Sequence, residues 1–381
     1  MRIYQFFPGK NEAIKLLKNF KFHNYPNSRN FIEGDVSLLS PYITHGILSL
    51  REIYCFLCEK YTFNTSNKFL KELAWREFFY HVWDFKNDEI FSSMKPTLID
   101  ENQYISKIPY EIKHAETGIS AIDKIITCLY KTGYIHNHAR LWLASFMVHI
   151  HKISWNSGAS WMYSHLLDGD LASNFLSWQW VAGTFSSKPY LFNSANIEKY
   201  APEDWSCRGT ILDNSYERLF EIANTSKINV KKKYSENNEN STNSNFNKFP
   251  VSELKLASSN DFSSAWIIHP WNIDSSLSQS SKKKKIGVFF EEFHSKWFWS
   301  NKRWRFVIDN MKMVCDDIFF CPKSVDIIDS ETEYNPHLHW ILMKKSGIKA
   351  IHANRLWKSP ERFCGSFSKF WKIVEKQKIE F

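Results

Sequence analysis

The stretch HLLDGDLASNFLSWQW, residues 165–180, decides the fold. It sets Asp168 and Asp170 either side of Gly169, places Asn174 four residues on, and closes with Trp178 and Trp180, all among Leu166, Leu167, Leu171, Phe175 and Leu176. A carboxylate in apolar surroundings is costly unless something pairs with it. Two acids, an amide and two indoles in so short a run therefore need a partner of matching chemistry. Upstream, YIHNHARLWLASFMVHIHKISW (134–155) is apolar almost all round and reads as one long buried helix, with Arg140 and Lys152 as its charged exceptions. A buried guanidinium also needs an acceptor. Asp168, Asp170 or a ligand phosphate would each serve Arg140. Asn137 lies one helical turn earlier on the same face.

The rest of the N-terminal half is helical in pattern. KFLKELAWREFFYHVWDF (68–85) repeats apolar residues at close to helical period, and ISAIDKIITCLYKTG (119–133) does so until Gly133, a C-cap signal. Within the first of these, Glu72 and Arg76 stand four apart, the spacing of an intrahelical ion pair, with Trp75 beside them. In DVSLLSPYITHG (35–46), Ser37 and Ser40 precede a proline and suit a helix N-cap; a helix start with free N–H groups and hydroxyls also suits phosphate.

Composition changes past residue 205. VKKKYSENNENSTNSNFNKF (230–249) is polar and Asn/Ser-rich and reads as a flexible linker. Beyond it, AWIIH (265–269), IGVFFEE (286–292), DIFFC (317–321), VDIID (325–329) and IKAIH (348–352) read as buried strands. SNKRWRFVIDNMKMVC (300–315) reads as a helix between them, which together suggests a small parallel α/β domain. FCGSFSKFWKIVE (363–375) reads as a terminal amphipathic helix. The expected organisation is a mainly helical region over 1–205, a connecting segment over 206–262, and an α/β domain with a terminal helix over 263–381.

The bulk numbers set limits. With 381 residues, 43% hydrophobic and 17% aromatic, the chain can bury a large core, and its formal charge of +9 is mild for the length. That charge fits an anionic partner such as nucleic acid, or a solvated Lys-rich surface. Seven scattered cysteines read as reduced thiols. The CFLC pair, Cys55 and Cys58, has no second pair at zinc spacing, and His149 and His151 fall on opposite sides of a helix, so no metal is expected. No signal peptide or uncharged membrane-length run is found, so the expectation is a soluble, cytoplasmic protein without membrane association. There is no Gly-rich dinucleotide fingerprint and no P-loop.

Taken in order, SLLSPYITHG (37–46), FLKELAWREFFYH (69–81), TGISAID (117–123), TGYIHNHARLWLASFMV (132–148), Trp155 and HLLDGDLASNFLSWQWVAGT (165–184) resemble the FAD-binding helical domain of the photolyase/cryptochrome family, over about residues 36–205. The resemblance implies FAD as cofactor, held by Ser37, Leu39, Ser40, Arg76, Asn137, Arg140, Asp168, Asp170 and Asn174, with Asn174 facing flavin N5 and Arg140 supporting the flavin-side acid. It implies Trp178 and Trp155 as the first two members of an electron-transfer chain, with Tyr104, Tyr110 or Trp142 as candidates for a third. Glu72, Trp75 and Trp180 match positions that touch a pyrimidine dimer flipped out of DNA. The implied activity is a light-driven, FAD-dependent DNA repair lyase acting as a monomer on damaged DNA; the alternative is a cryptochrome-like blue-light photoreceptor without repair.

There are departures from the family pattern. Val36 replaces a usual Thr, and FLSW (175–178) replaces a usual Asn-Gly-Gly-Trp, so bulkier groups stand where glycines would let backbone approach the ring. The residues ahead of the helical region carry no α/β antenna pattern, so the expectation is that the usual N-terminal antenna domain is absent. Residues 286–320 and 348–355 weakly resemble parts of that domain, which suggests an antenna-like, Rossmann-type domain moved to the C-terminal side. A second chromophore is not readable.

Overall fold

The computed structural model describes residues 4–63, 67–226, 253–377 and 379. The expected linker at 230–249 lies outside them. By contacts the chain forms two compact units, one of Met1–Gln5, Lys21–Val36 and Lys86–Thr242, the other of Phe6–Phe20, Ser37–Phe85 and Asn243–Phe381.

The first unit is helical. Its helices Ser120–Thr132, Asn137–Ser145, Trp155–His165 and Leu171–Ala182 begin and end where local chemistry dictates. Ser120–Thr132 stops at Gly133, whose φ of 69° is left-handed. Its stripe of Ile122, Ile125, Ile126 and Leu129 is fully buried, each side chain contributing about 1.5–3 kcal/mol on leaving water.

The expected single helix over 134–155 is broken. His136 caps the Asn137–Ser145 helix by accepting the His138 N–H at 3.1 Å. A π-helical turn follows over Phe146–Ile150, and Lys152 turns the chain at φ 54°. A long-range anchor holds the chain at this turn. The Lys152 ammonium is fully buried and donates to the Ile222 and Ala223 carbonyls, both at 2.7 Å, at the C-terminal end of the Tyr216–Ala223 helix. Burial lowers its pKa to about 8.

The second unit is built on a six-stranded, wholly parallel sheet. Its strands are β1 (Lys255–Leu256), β2 (Trp266–Ile268), β3 (Lys285–Phe290), β4 (Asp317–Cys321), β5 (Ser330–Glu333) and β6 (Ile348–Ile351), in the order β1-β4-β3-β2-β5-β6. The chain adds β3 and β4 on one side of β2, then returns to place β5 and β6 on the other, the doubly wound pattern. β2 is buried throughout and β3 nearly so, as expected of parallel strands.

One expected strand is misplaced. Val325–Asp329 is not a strand; the polar run Ser330–Glu333 is. Asp329 turns at φ 52° and Ile328 is exposed. Ser330 and Thr332 sit inside because their hydroxyls donate to the Phe262 and Ile267 carbonyls. The same unit holds the Lys68–Lys86 helix, the Asn301–Met311 helix, capped by Ser300 Oγ on the Arg303 N–H, and the terminal helix Phe367–Val374. All seven cysteines are free. Among the described residues no helix is long and apolar enough to cross a membrane, and no His/Cys/Asp/Glu group could hold a metal ion.

Candidate functional site

The two aspartates of the opening stretch have separate jobs. Asp168 accepts from Arg140 Nη2 at 2.7 Å, which settles the partner of that guanidinium. Arg140 also donates its Nε to the Ile135 carbonyl at 2.9 Å and lies 5.3 Å from the Tyr134 ring centre. Burial opposes the Arg140 charge most strongly, yet the Asp168 carboxylate and Tyr134 outweigh it and hold the guanidinium above its ordinary pKa. Asp170 is a cap. Its carboxylate accepts from the Ser173 N–H at 2.8 Å and so starts the Leu171–Ala182 helix, where an acid also complements the helix dipole.

That helix then presents the remaining residues. The Asn174 amide donates to the Ala159 carbonyl at 2.9 Å, tying it to the Trp155–His165 helix. The six-membered ring of Trp178 packs closely on the same partner at Gly158: a Cβ there would stand 2.4 Å from Cζ3 of the indole and 2.5 Å from Cη2. Only glycine allows that approach. Trp155 donates its indole N–H to Ser93 Oγ at 3.0 Å and meets Phe175 edge-on at 6.3 Å. Arg140, Asp168, Asp170, Asn174, Trp178 and Trp155 are therefore assembled by three consecutive helices and the turn before the last.

The bulk of FLSW goes into the core. Phe175 and Leu176 are fully buried, with Phe175 edge-on to Phe91 at 5.0 Å. Asn137 opens its helix and is exposed, and Trp180 is partly exposed and tilted against Tyr190 at 5.6 Å. Of the candidates for a third electron carrier, Trp142 is fully buried with its N–H on Asn196 Oδ1 at 3.0 Å. Tyr104 is half-buried, and Tyr110 is exposed and stacked on His114 at 3.8 Å.

The second unit carries the other sequence candidates. Ser37 Oγ accepts from the Leu39 N–H at 3.5 Å, Leu38 is left-handed at φ 57°, and the Ser40–Thr44 helix starts after Leu39 without a side-chain cap. Ser40 is thus the first helical residue and not the N-cap that the S-P pattern suggests, because the left-handed Leu38 shifts the entry by one residue. On the Lys68–Lys86 helix, the Arg76 guanidinium lies 5.7 Å from the Tyr80 ring centre. Trp75 stacks in parallel on Phe367 at 4.2 Å.

Sequence reasoning missed the packing of Gly158 on Trp178, the anchoring role of Lys152, and His81. The His81 Nε2 accepts from the Cys364 N–H at 2.9 Å, so its Nδ1 carries the proton that reaches Ser359 Oγ at 2.8 Å. An isolated glycine inside the apolar helical run at 155–165 was the available signal for the first.

Residues 69–287, over half of the chain, match the model of the FAD binding domain of DNA photolyase. The chain belongs to the photolyase/cryptochrome family. FAD is the cofactor of this domain. Among curated relatives it is 35% identical over 211 residues to the deoxyribodipyrimidine photo-lyase of Buchnera aphidicola from Acyrthosiphon pisum, covering 51% of this chain and 43% of that one. It is 32% identical over 217 residues to the mitochondrial deoxyribodipyrimidine photo-lyase of Saccharomyces cerevisiae, covering 51% and 38%. The matched region thus spans under half the length of these relatives. Among solved structures it is similar to a bacterial class III photolyase from Agrobacterium tumefaciens at 25% identity, with a TM-score of 0.46 over 57% of this chain and 55% of that chain.

The residues of the first unit fit FAD chemically. A flavin edge offers fixed donors and acceptors, and the helix start supplies a guanidinium–carboxylate pair and an amide. Ser173 Oγ, between Asp170 and Asn174, is buried with no hydrogen-bond partner among the described residues.

Proposed function

We propose that the protein is a light-driven DNA repair lyase that acts on pyrimidine dimers. The observation that carries this reading is the Arg140–Asp168 pair at 2.7 Å, on the turn that leads through Asp170 to Asn174 and Trp178. Its place within the family match supports it. When bound, FAD supplies light absorption and one-electron transfer to the lesion.

The chain's residues do the rest. Arg140 fixes the orientation of the Asp168 carboxylate beside the cofactor. Asp170 holds the helix start, and Asn174, tethered to Ala159, presents its amide at a set angle. Asn137, and Ser37, Leu39, Ser40 and Arg76 as phosphate-side ligands, are proposed on the family resemblance. Trp178 and Trp155 carry charge away from the cofactor, and their close packing against Gly158 and Ser93 keeps them in fixed positions. Glu72, Trp75 and Trp180 are proposed as contacts to the flipped dimer, where aromatic faces and an apolar wall replace base stacking. We assign residues 1–205 to the cofactor domain, 206–262 to the connection and 263–381 to an antenna-like domain; the order β4-β3-β2-β5-β6 of the five strands that fall within the last of these supports it, while β1 extends the sheet from the connection.

The test is the light-dependent loss of dimers from an oligonucleotide by FAD-loaded protein carrying reduced cofactor. Restoration of intact pyrimidines in the light and not in the dark is the expected result. A protein that binds and photoreduces FAD yet never repairs would overturn the lyase reading and leave a blue-light photoreceptor.

A further inference from the structure

The Lys68–Lys86 helix does not present Trp75 as an open face. Within the same unit the ring of Phe367, at the start of the terminal helix, lies parallel to the indole, with centroids 4.2 Å apart and planes 6° from parallel. Trp371 extends the ladder at 6.0 Å and 15°, and Lys71 Nζ stands 5.9 Å from the Trp371 ring centre. Phe78 and Phe79, from Trp75's own helix, also contact its ring at 5.6 and 5.4 Å.

We propose that the terminal helix is an intramolecular occupant of the Trp75 stacking face, with Phe367 filling the position a nucleobase would take. The inference rests on the reading of Trp75 as a base contact. Stacked carbon planes sit about 3.5–4 Å apart, so a base inserted between Trp75 and Phe367 would need roughly twice the separation present. Base and Phe367 are therefore mutually exclusive on that face.

The helix is built so that its first turn can leave while the rest stays. Phe370, Trp371 and Val374 are buried anchors, whereas Phe367 is only half-buried. The preceding segment is held independently. His81 bonds Ser359 at 2.8 Å and the Cys364 N–H at 2.9 Å, and Arg355 bonds Asp84 at 2.8 Å. The anchors keep the blocking ring close to Trp75, and the half-exposed stack sets how readily a base displaces it.

The test uses the full chain and a single-stranded oligonucleotide carrying one thymine dimer, with binding read in the dark by fluorescence anisotropy. Phe367→Ala is expected to bind roughly two- to tenfold tighter than wild type, the worth of one aromatic stack. That gain should vanish when Trp75→Ala is added. Phe367→Leu, which keeps an apolar contact to Phe78 but gives up the stacking plane, should fall between wild type and Ala, and guards against a folding defect in the smaller variant. If Phe367→Ala and Phe367→Leu bind no tighter while Trp75→Ala weakens binding, Trp75 is a base contact and the occupancy proposal is wrong. If Trp75→Ala changes nothing in either background, the assignment of Trp75 fails and the proposal goes with it.

Discussion

Replacing Gly158 by alanine should give opposite results in two backgrounds. Glycine inside a helix costs about 1 kcal/mol relative to alanine, so Gly158→Ala in the Trp155–His165 helix would ordinarily stabilise. Here the new methyl would stand 2.4 and 2.5 Å from two ring carbons of Trp178, well inside contact distance. Trp178 is itself buried, 2% exposed, so the indole has little room to retreat. Overpacking of this kind costs roughly 1–3 kcal/mol. The balance in the wild-type background is a loss of up to about 2 kcal/mol. Trp178→Phe removes both clashing atoms, so Gly158→Ala in that background should instead stabilise by up to about 1 kcal/mol. Urea unfolding of the four proteins gives the coupling as a double-mutant cycle. Equal effects of Gly158→Ala in the two backgrounds, within about 0.5 kcal/mol, would refute the packing of Trp178 on this helix.

The other predictions follow from single interactions. Asp168→Asn leaves the Arg140 guanidinium without its carboxylate and should destabilise by about 3 kcal/mol and weaken FAD retention; unfolding and a flavin-release titration check both. Trp178→Phe should abolish photoreduction of bound FAD while sparing repair by chemically reduced protein, read by bleaching of the flavin absorption and by a repair assay. For Lys152, the folded pKa of about 8 lies below the ordinary lysine value of 10.5, so the unfolded chain binds more protons between those values and stability should rise with pH across that window. Stability attributable to this group should be flat below about pH 8, and the difference between wild type and Lys152→Met, measured by unfolding at several pH values, isolates it.

How much of this was legible in the sequence depends on the range of the forces involved. Local chemistry read well. Gly133 ends its helix, the acid beside Gly169 pairs with Arg140 as one of the expected alternatives, and the strands around Ile267, Val288, Phe319 and Ile348 follow their apolar runs. Features set by distant partners did not. The helix breaks at Lys152, whose ammonium bonds carbonyls some 70 residues away, a pairing that no local pattern records. Ser330–Glu333 becomes a strand because the Phe262 and Ile267 carbonyls accept its hydroxyls, which no propensity records. The stack of Phe367 on Trp75 joins residues nearly 300 positions apart, and each alone reads as an ordinary core aromatic.

The central claim is a photoreducible FAD held beside Asp168 and Arg140. The most direct measurement is the blue-region absorption spectrum of the purified protein after incubation with FAD, before and after blue light in the presence of a reductant, run beside Asp168→Asn. A structured flavin band that bleaches in the wild type and is weakened or lost in Asp168→Asn is the predicted result. No flavin band in the wild type, or one indifferent to Asp168, would contradict the account and return the pair to a purely structural role.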